Sequence, residues 1–207
     1  MKSIFTDFLR REFPDNHREV LAEFEHFHIL LTEANRRINL ISRKTSPEEY
    51  WTIHFLDSIL PHRLIKEGAS KILDLGTGGG LPGIPLKIIK PSLELHLLDS
   101  RTKKIDVLKK MIKKLDLSGC FTIVSRLEEL EGHWNQYFDC IVSRSVRITP
   151  RLLKKMHELL SDNGEILLYK SHSPEDLKFV GKMEEFDISH PEVGKRKIIK
   201  IRKQENQ

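Results

Sequence analysis

The chain contains 207 residues, 39% of them hydrophobic and 31% charged, with a formal net charge of +5. This composition excludes a disordered chain, and no apolar run reaches the roughly 18 residues that a membrane-spanning helix requires. The length suits one principal domain with an appendage, and the basic excess suits either a polyanionic partner or solubility alone. We therefore expect a soluble protein that does not associate with membranes.

Neither the N-terminal residues nor the cysteines indicate export. The stretch MKSIFTDFLRREF contains acids and arginines where a signal peptide needs an uninterrupted apolar core. Cys120 and Cys140 form no disulfide framework, and neither they nor the ten histidines show the spacing of metal ligands. We expect a cytoplasmic protein that binds no metal.

Residues 1–66 are predicted to form a helical N-terminal cap. One long amphipathic helix is indicated by apolar residues at spacings of three and four, namely Val20, Phe24, Phe27, Leu31, Ala34 and Ile38. Ser46, Pro47 and Glu49 then have the pattern of a capping box with proline at the first helical position. This second helix should continue to residue 59 and end near Pro61.

Residues 67–207 alternate between β-prone and helical patterns and are predicted to form one α/β domain. The strands are expected at residues 71–75, 93–98, 121–124, 138–143 and 165–169, and the helices at 83–90, 103–115, 150–160 and 174–180. This alternation predicts a doubly wound, mainly parallel sheet with helices on both faces. Residues 186–190 and 196–202 predict a terminal hairpin, which makes seven strands with an antiparallel one at the C-terminus.

A glycine-rich turn after the first strand indicates a nucleotide-like cofactor. Gly78, Gly80 and Gly83 fit the dinucleotide pattern G-x-G-x-x-G, and Asp99 follows Gly78 by 21 residues, where an acid could bind ribose. The same stretch also reads Asp74-x-Gly76-x-Gly78-x-Gly80, with an acid two residues before the first glycine. A nicotinamide cofactor and a turn without a ligand are the alternatives to S-adenosylmethionine.

The acid favours S-adenosylmethionine. This cofactor has no phosphate and carries an ammonium and a sulfonium, for which the carboxylate of Asp74 is favourable. Pro82 and Pro85 remove two N–H donors from the first turns of the following helix, which weakens it as a cradle for a pyrophosphate. Asp99 either accepts the two ribose hydroxyls or caps the helix that begins near Thr102.

Two further segments are candidates for the site. Leu127 and Glu128 follow the third strand, where they either meet the adenine or lie on a solvated helix. The fourth strand ends at Arg144, where open α/β sheets bind ligands, although such an arginine can also pair with a nearby carboxylate. Cys140 lies inside this apolar strand and is interpreted as a buried hydrophobic residue.

The fourth strand also lacks two elements of known methyl transfer chemistry. It has no [DNS]-P-P-[YFW] element, which commonly holds an exocyclic amine, and no exposed nucleophilic cysteine for methylation of a pyrimidine carbon. A target that needs no base fits these residues. Guanine N7 is such a target because its lone pair is available, so positioning alone can supply most of the acceleration.

The motifs together resemble the bacterial small-subunit ribosomal RNA methyltransferase G family, also called glucose-inhibited division protein B. The matching segments span residues 38 to about 170, in order, and are HFLDS at 54–58, DLGTGGGLPGIPL at 74–86, LDS at 98–100, SRLEE at 125–129 and Ser143-Arg144. The LPGIPL extension and the upstream HxxDS are far more specific than a glycine loop alone.

This resemblance implies a class I methyltransferase fold and methylation of guanine N7 at position 527 of 16S ribosomal RNA, in the 530 loop. It further implies that the cofactor is contacted by Gly76, Leu81, Asp99, Leu127, Glu128 and Arg144. Family members usually follow the Ser-Arg pair with alanine and other small residues, whereas this chain has Ser145-Val146-Arg147. The resemblance leaves open whether the acceptor is free RNA, a precursor particle or the finished subunit.

Basic residues provide candidates for RNA contacts. Arg36, Arg37, Arg43 and Lys44 flank residues 39–41, and Arg147 follows the fourth strand. In the last strand Lys200 and Arg202 alternate with isoleucines, so they would form an outward row that either contacts RNA or protects an edge strand. The expected protein is a monomeric enzyme that binds 16S RNA. A nicotinamide-dependent oxidoreductase and a non-catalytic RNA-binding protein are the alternatives.

Overall fold

The N-terminal part of the protein is helical in the computed structural model. The structure describes residues 1–171 and 175–203. Helix α1 covers Lys2–Glu12 and α2 covers His17–Arg37. The buried face of α2 consists of Val20, Phe24, Phe27, Leu30, Leu31 and Asn35. The predicted amphipathic helix is therefore confirmed.

The second predicted helix is present, but its geometry changes along its length. It begins as a 3₁₀ turn at Pro47–Glu49, widens into π-helical turns at Tyr50–Leu56 and ends as helix α3 at Asp57–Ile59. The Glu49 carboxylate accepts hydrogen bonds from both the N–H and the hydroxyl of Ser46, each at 2.7 Å. The predicted start is confirmed, and the π-helical turns are an irregularity that occurs frequently at functional sites.

In the rest of the described residues, the strands form one seven-stranded sheet. Its strands are β1 (Lys71–Leu75), β2 (Glu94–Asp99), β3 (Cys120–Val124), β4 (Phe138–Arg144), β5 (Leu160–Lys170), β6 (Glu184–Asp187) and β7 (Lys197–Arg202). The connecting helices are α4 (Gly83–Ile89), α5 (Thr102–Lys114) and α6 (Pro150–Leu159). The strand order is β3-β2-β1-β4-β5-β7-β6, with β1 to β5 parallel and β7 antiparallel to β5. The predicted α/β architecture is confirmed.

This topology determines where a ligand binds. The chain proceeds from β1 outwards through β2 to β3 and then returns to place β4 on the other side of β1. The connections on the two sides of this point run over opposite faces, so a crevice opens at the carboxyl ends of β1 and β4. The glycine-rich turn follows β1 and Arg144 ends β4, so both lie at this crevice.

The N-terminal helices and the sheet share one hydrophobic core. Phe5 of α1 packs against Phe24 and Phe55, with ring centroids 4.8 and 6.3 Å apart, and the same cluster extends to Ile72 and Ile198 of the sheet. Burial of these rings stabilises the N-terminal helices against the sheet. The boundary between residues 66 and 67 stays a prediction. Within the described ranges, every helix is too short or too polar to cross a membrane.

The helix predicted at residues 174–180 is wrong. The structure has a single 3₁₀ turn at Glu175–Leu177, and residue 174 lies outside the described residues. The carboxylate of Asp176 accepts hydrogen bonds from the N–H of Ile148 at 3.0 Å and from the ammonium of Lys170 at 2.7 Å, while Leu177 is fully buried. These contacts hold one turn against the sheet.

The expected outward row on the last strand is also wrong at Lys200. Strand β7 lies between β5 and β6 and is not an edge strand. The Lys200 ammonium lies 2.6 Å from the carboxylate of Glu165 and donates to the carbonyl of Leu64 at 3.2 Å. Because both charged side chains are almost fully buried, this pair is internal to the fold. Arg202 remains exposed and pairs with Glu184 at 3.1 Å.

Candidate active site

The buried carboxylate of Asp74 anchors the glycine-rich loop from below. Its Oδ2 accepts hydrogen bonds from the hydroxyl of Thr77 at 2.7 Å and from the N–H of Gly83 at 2.9 Å. A side chain at position 83 would collide with this carboxylate, because a Cβ there would lie 2.7 Å from Oδ2. Asp74 is completely buried, so it acts on a ligand through its charge and through the loop and does not lie on the wall of the crevice.

The charge state of Asp74 responds to the crevice. Burial raises the pKa of this carboxyl to about 6, against the opposing effect of its hydrogen bonds. Among the described residues its Oδ1 is a buried atom with no hydrogen-bond partner. A cation bound in the crevice would favour the ionised form and lower this pKa, which fits a positively charged cofactor.

The first turn of α4 has its donors occupied within the protein. The N–H of Gly83 binds Asp74, the N–H of Ile84 binds the carbonyl of Gly80 at 2.8 Å, and residue 85 is a proline. A pyrophosphate at a helix N-terminus needs such N–H groups free. This arrangement therefore favours a cofactor without phosphate over a dinucleotide.

One half of the crevice is a cavity of about 340 Å³ beside β2 and β3. Asp99 lines it, with Oδ2 accepting from the N–H of Gly78 at 3.2 Å and Oδ1 from the N–H of Arg101 at 2.9 Å. Each carboxylate oxygen retains acceptor capacity, so these bonds still allow the ribose interaction. Leu127 is buried in the wall and Glu128 is exposed at the rim, both in a 3₁₀ turn.

The other half is a cavity of about 480 Å³ between the sheet and the N-terminal helices. It shares Gly76, Lys104 and Val146 with the first cavity, so the two cavities adjoin. Gly76 has φ +72°, and a Cβ there would lie 2.5 Å from Val146, so glycine is required at the junction. The crevice brings together most predicted cofactor residues, namely Gly76, Gly78, Leu81, Asp99, Leu127, Glu128 and Arg144. Gly80 is not on the wall of either cavity and, like Asp74, supports the loop.

Arg144 is held on the wall of the larger cavity by Asp57. Its Nη1 donates to Asp57 Oδ2 at 2.9 Å, and Nε of Arg196 donates to the other oxygen, Oδ1, at 2.8 Å. Next to them, the hydroxyl of Tyr169 donates to the carbonyl of Ser58 at 2.9 Å. The sequence indicated that Arg144 could pair with a carboxylate, and Asp57 belongs to the HxxDS motif. Arg196 was missed because nothing in its local sequence distinguishes it from the neighbouring lysines.

His54 lies in the same wall as a neutral imidazole. It is 9% exposed, and neither ring nitrogen has a hydrogen-bond partner in the part of the chain that the structure describes. Burial, followed by the positive charge of Arg144, lowers the pKa of His54 to about 3. An imidazole with this pKa is a weak base and stays uncharged at neutral pH.

The pKa of His54 predicts a contribution to acid sensitivity. The unfolded chain binds a proton at this histidine below about pH 6.5 and the folded chain does not, so stability falls as the pH decreases from 6.5 towards 3. Between pH 6.5 and 5 the loss should reach about 2 kcal/mol. We expect a His54→Gln variant to lack this share of the pH dependence when urea unfolding is measured at both pH values. A variant whose pH dependence equals that of the wild type would contradict the depressed pKa.

Lys104 was not selected from the sequence, yet it lines both cavities. Its Nζ lies 3.5 Å from the carbonyl of Leu40, and burial lowers the pKa of its ammonium. The neighbouring Lys103 is exposed, and the sequence alone does not distinguish the two. Lys104 therefore supplies a partly buried cation where the two halves of the crevice meet.

The predicted RNA-contacting residues are distributed unequally around the crevice. Arg36, Arg37, Arg43, Lys44 and Arg147 are exposed. Residues 40–42 line the larger cavity, so Arg43 and Lys44 follow its rim directly. Lys200 and Arg202 lie in the last strand, where the Lys200 side chain is mostly buried against Glu165.

Comparison with known proteins agrees with this geometry. The family model described as GidB, rRNA small subunit methyltransferase G, matches residues 20–197. The ribosomal RNA small subunit methyltransferase G of Desulfitobacterium hafniense is 38% identical over 148 residues, covering 70% of this chain and 61% of that protein. The match thus spans less than two thirds of that relative. The protein of the same name from Flavobacterium psychrophilum is 35% identical over 187 residues, covering 86% of this chain and 87% of that protein.

A solved structure supports the fold class. A SAM dependent methyltransferase from Aquifex aeolicus superposes with a TM-score of 0.58 at 16% identity, covering 75% of this chain and 93% of that chain. At this identity the likeness shows the fold alone. Together with the strand order, it confirms the predicted class I, Rossmann-like methyltransferase fold.

Proposed function

Because the chain belongs to the rRNA small subunit methyltransferase G family, we propose that it transfers a methyl group from S-adenosylmethionine to a guanine N7 of 16S ribosomal RNA. The proposed position is 527 in the usual RNA numbering, in the 530 loop. The observation that carries this proposal is the crevice. One of its cavities lies beside a helix N-terminus whose N–H groups are already occupied, which suits a cofactor without phosphate, and the adjoining cavity is walled by Arg144 and a neutral His54.

The residues of the crevice fit S-adenosylmethionine. When bound, this cofactor supplies an electrophilic methyl group on a positively charged sulfur. Asp99 would hold the ribose hydroxyls, Leu127 and Glu128 would meet the adenine, and the loop above Asp74 would face the methionine part. Lys104 would offer its ammonium to the cofactor carboxylate.

The larger cavity suits an acceptor that gives up no proton. Asp57 is occupied by two guanidinium groups, the Tyr169 hydroxyl already donates to Ser58, and His54 is a weak base. Guanine N7 needs no base because its lone pair attacks directly. The role of these groups is then to orient the guanine ring and exclude water, with Arg144 ordering the pocket.

The exposed basic residues of the predicted RNA-contacting set support an RNA substrate. Arg36, Arg37, Arg43, Lys44 and Arg147 can each neutralise a phosphate, and such contacts set affinity without selecting the base. Lys200 is excluded from this set because Glu165 neutralises it inside the fold.

The cofactor proposal predicts the effect of Asp99→Ala. Removing a charged acceptor for the ribose hydroxyls should weaken S-adenosylmethionine binding by about 1.5–3 kcal/mol for each bond lost, or tenfold to more than a hundredfold for one bond. Isothermal titration calorimetry measures this loss. Since Asp99 also holds the N–H of Gly78, Asp99→Asn is the control that keeps an acceptor for that bond. Unchanged affinity in folded Asp99→Ala protein would remove Asp99 from the site.

The same calorimetry distinguishes the cofactors. Binding of S-adenosylmethionine without binding of NAD supports the proposal, whereas tight binding of NAD alone would support an oxidoreductase.

The reaction is tested by radiolabelled methyl transfer to small subunits, precursor particles and 16S RNA from cells that lack this protein, followed by mapping of the modified base. We expect N7-methylguanine at position 527. Binding of cofactor and RNA without turnover would support the non-catalytic alternative.

A further inference from the structure

The carboxylate of Asp57 connects two arginines from distant parts of the chain. Arg144 ends β4 and donates to one oxygen, while Arg196 immediately precedes β7 and donates to the other. The Asp57 side chain is only 4% exposed, and the two arginine side chains are 15% and 23% exposed. Both arginines line the larger cavity.

This geometry restricts the motion of Arg144. A carboxylate with one partner can rotate about its Cβ–Cγ bond, and the partner can follow it. When each oxygen is bound by a different guanidinium, rotation breaks one of two charge-assisted hydrogen bonds, which are among the stronger ones in proteins. Because these groups are largely shielded from water, salt and solvent weaken the bonds little.

Arg196 is itself held at its own end. Its backbone N–H donates to the hydroxyl of Ser189 at 3.0 Å, and its Nη1 donates to the carbonyl of Lys195 at 2.9 Å. These contacts lie in the connection between β6 and β7, so the C-terminal hairpin holds Arg196 in addition to its bond with Asp57.

We infer that Arg196 is a positioning residue for the acceptor half of the site, and that it acts through Asp57 to hold Arg144 in its working orientation. The inference rests on the proposed function for its effect on catalysis. It makes the C-terminal hairpin part of the site, although that hairpin contributes no strand to the cofactor cavity.

The test must distinguish the positioning effect of Arg196 from the effect of its positive charge. Two guanidinium groups on one carboxylate leave a net charge of about +1, so removing Arg196 also removes a positive charge near the RNA. Lys195→Met is the matched control, since Lys195 is the exposed neighbour with the same charge. Arg196→Met removes the guanidinium and keeps an apolar stem, and Arg196→Lys restores a charge without the planar fork.

Single-turnover methyl transfer at saturating RNA and cofactor is the first measurement. We expect Arg196→Met to lower the rate about tenfold to a hundredfold, since displacement of a positioning group has effects of this size. Arg196→Lys should recover part of the rate, and Lys195→Met should match the wild type. Equal rates for Arg196→Met and Lys195→Met would overturn the inference.

A double-mutant cycle tests whether the effect passes through Asp57. In an Asp57→Asn background, Arg196→Met should cause no further loss of rate, whereas the same loss in both backgrounds overturns the inference. If Asp57→Asn does not fold, the comparison of Arg196→Met with Lys195→Met decides alone.

An NMR measurement on protein with ¹⁵N-labelled arginine is independent of activity. The guanidinium signals of Arg144 should report restricted rotation in the wild type and in Lys195→Met, and faster rotation in Arg196→Met. Unchanged rotation overturns the inference even if the wild type has no methyltransferase activity. A wild type that methylates no 16S RNA, with Arg144 rotation released in Arg196→Met, contradicts only the proposed function.

Discussion

Arg144→Ala is expected to reduce single-turnover methyl transfer by about a hundredfold or more while RNA affinity changes little. Arg144 is bound to Asp57 on the wall of the larger cavity, where the proposed function places the acceptor guanine. Its loss would leave the guanine and the cofactor without the group proposed to order the pocket. RNA affinity is the sum of many phosphate contacts and should lose at most one of them. Donation by Arg144 to N7 itself would block the reaction, so the guanidinium must act beside the lone pair.

Arg147→Ala is the matched control for this experiment. Arg147 is exposed, three residues away, and carries the same charge. We expect it to weaken RNA binding modestly and to reduce the salt dependence by about one counterion, with the rate at saturation retained. Binding against salt concentration and single-turnover rates should be measured for both variants. If Arg144→Ala loses only RNA affinity and keeps its rate at saturation, its assignment to the reaction pocket is wrong.

Asp74→Ala should have the largest effect on the cofactor loop. The substitution leaves the hydroxyl of Thr77 and the N–H of Gly83 without their acceptor, and each unpaired buried group costs about 1–3 kcal/mol. The loop would lose its anchor and the crevice its buried negative charge. We expect a clearly lower free energy of unfolding and loss of measurable S-adenosylmethionine binding. A folded Asp74→Ala protein with wild-type stability and affinity would refute the anchoring role.

Asp74→Asn distinguishes the loss of the hydrogen bonds that anchor the loop from the loss of the negative charge. The amide keeps one acceptor and the same volume, so the loop should survive better while cofactor affinity still falls. The pH dependence provides a second check. Because burial raises the pKa of Asp74 from 3.8 to about 6, the folded wild type loses stability as the pH rises from about 4 to 6, by up to about 3 kcal/mol. Asp74→Asn should lack this loss. His54→Gln should instead lack the gain in stability that the wild type shows as the pH rises over the same range.

Local patterns were sufficient to predict most of the fold. The spacing of apolar residues located α2, the glycine-rich turn located the start of α4, and the alternation of strand and helix predicted a parallel sheet. These signals are local because they depend on the periodicity of one element and on the chemistry of its ends. The helix predicted at residues 174–180 failed because Asp176 accepts hydrogen bonds from Ile148, 28 residues away, and from Lys170 on the neighbouring strand, and the segment forms one turn.

The candidate cofactor residues were predictable for the same reason. Asp99 and Arg144 stand at strand ends, and the carboxyl ends of parallel strands lie along one edge of a sheet, so strand assignment alone placed both at that edge. The sequence could not separate residues on the cavity wall from those beneath it. Asp74 and Gly80 are absent from the walls of both cavities, whereas Lys104, indistinguishable from Lys103 in sequence, lies on the wall.

By itself, the sequence determined the family and the order of most elements, because motifs and periodicities are properties of contiguous residues. Only the tertiary structure decided which charges are paired. Lys200 and Arg196 come from the same basic stretch, yet one is neutralised by Glu165 inside the fold and the other pairs with Asp57 on the wall of the larger cavity. A charged side chain acquires its partner from elements brought together by folding, and burial then sets the strength of that pair, so neither property can be read from the basic stretch alone.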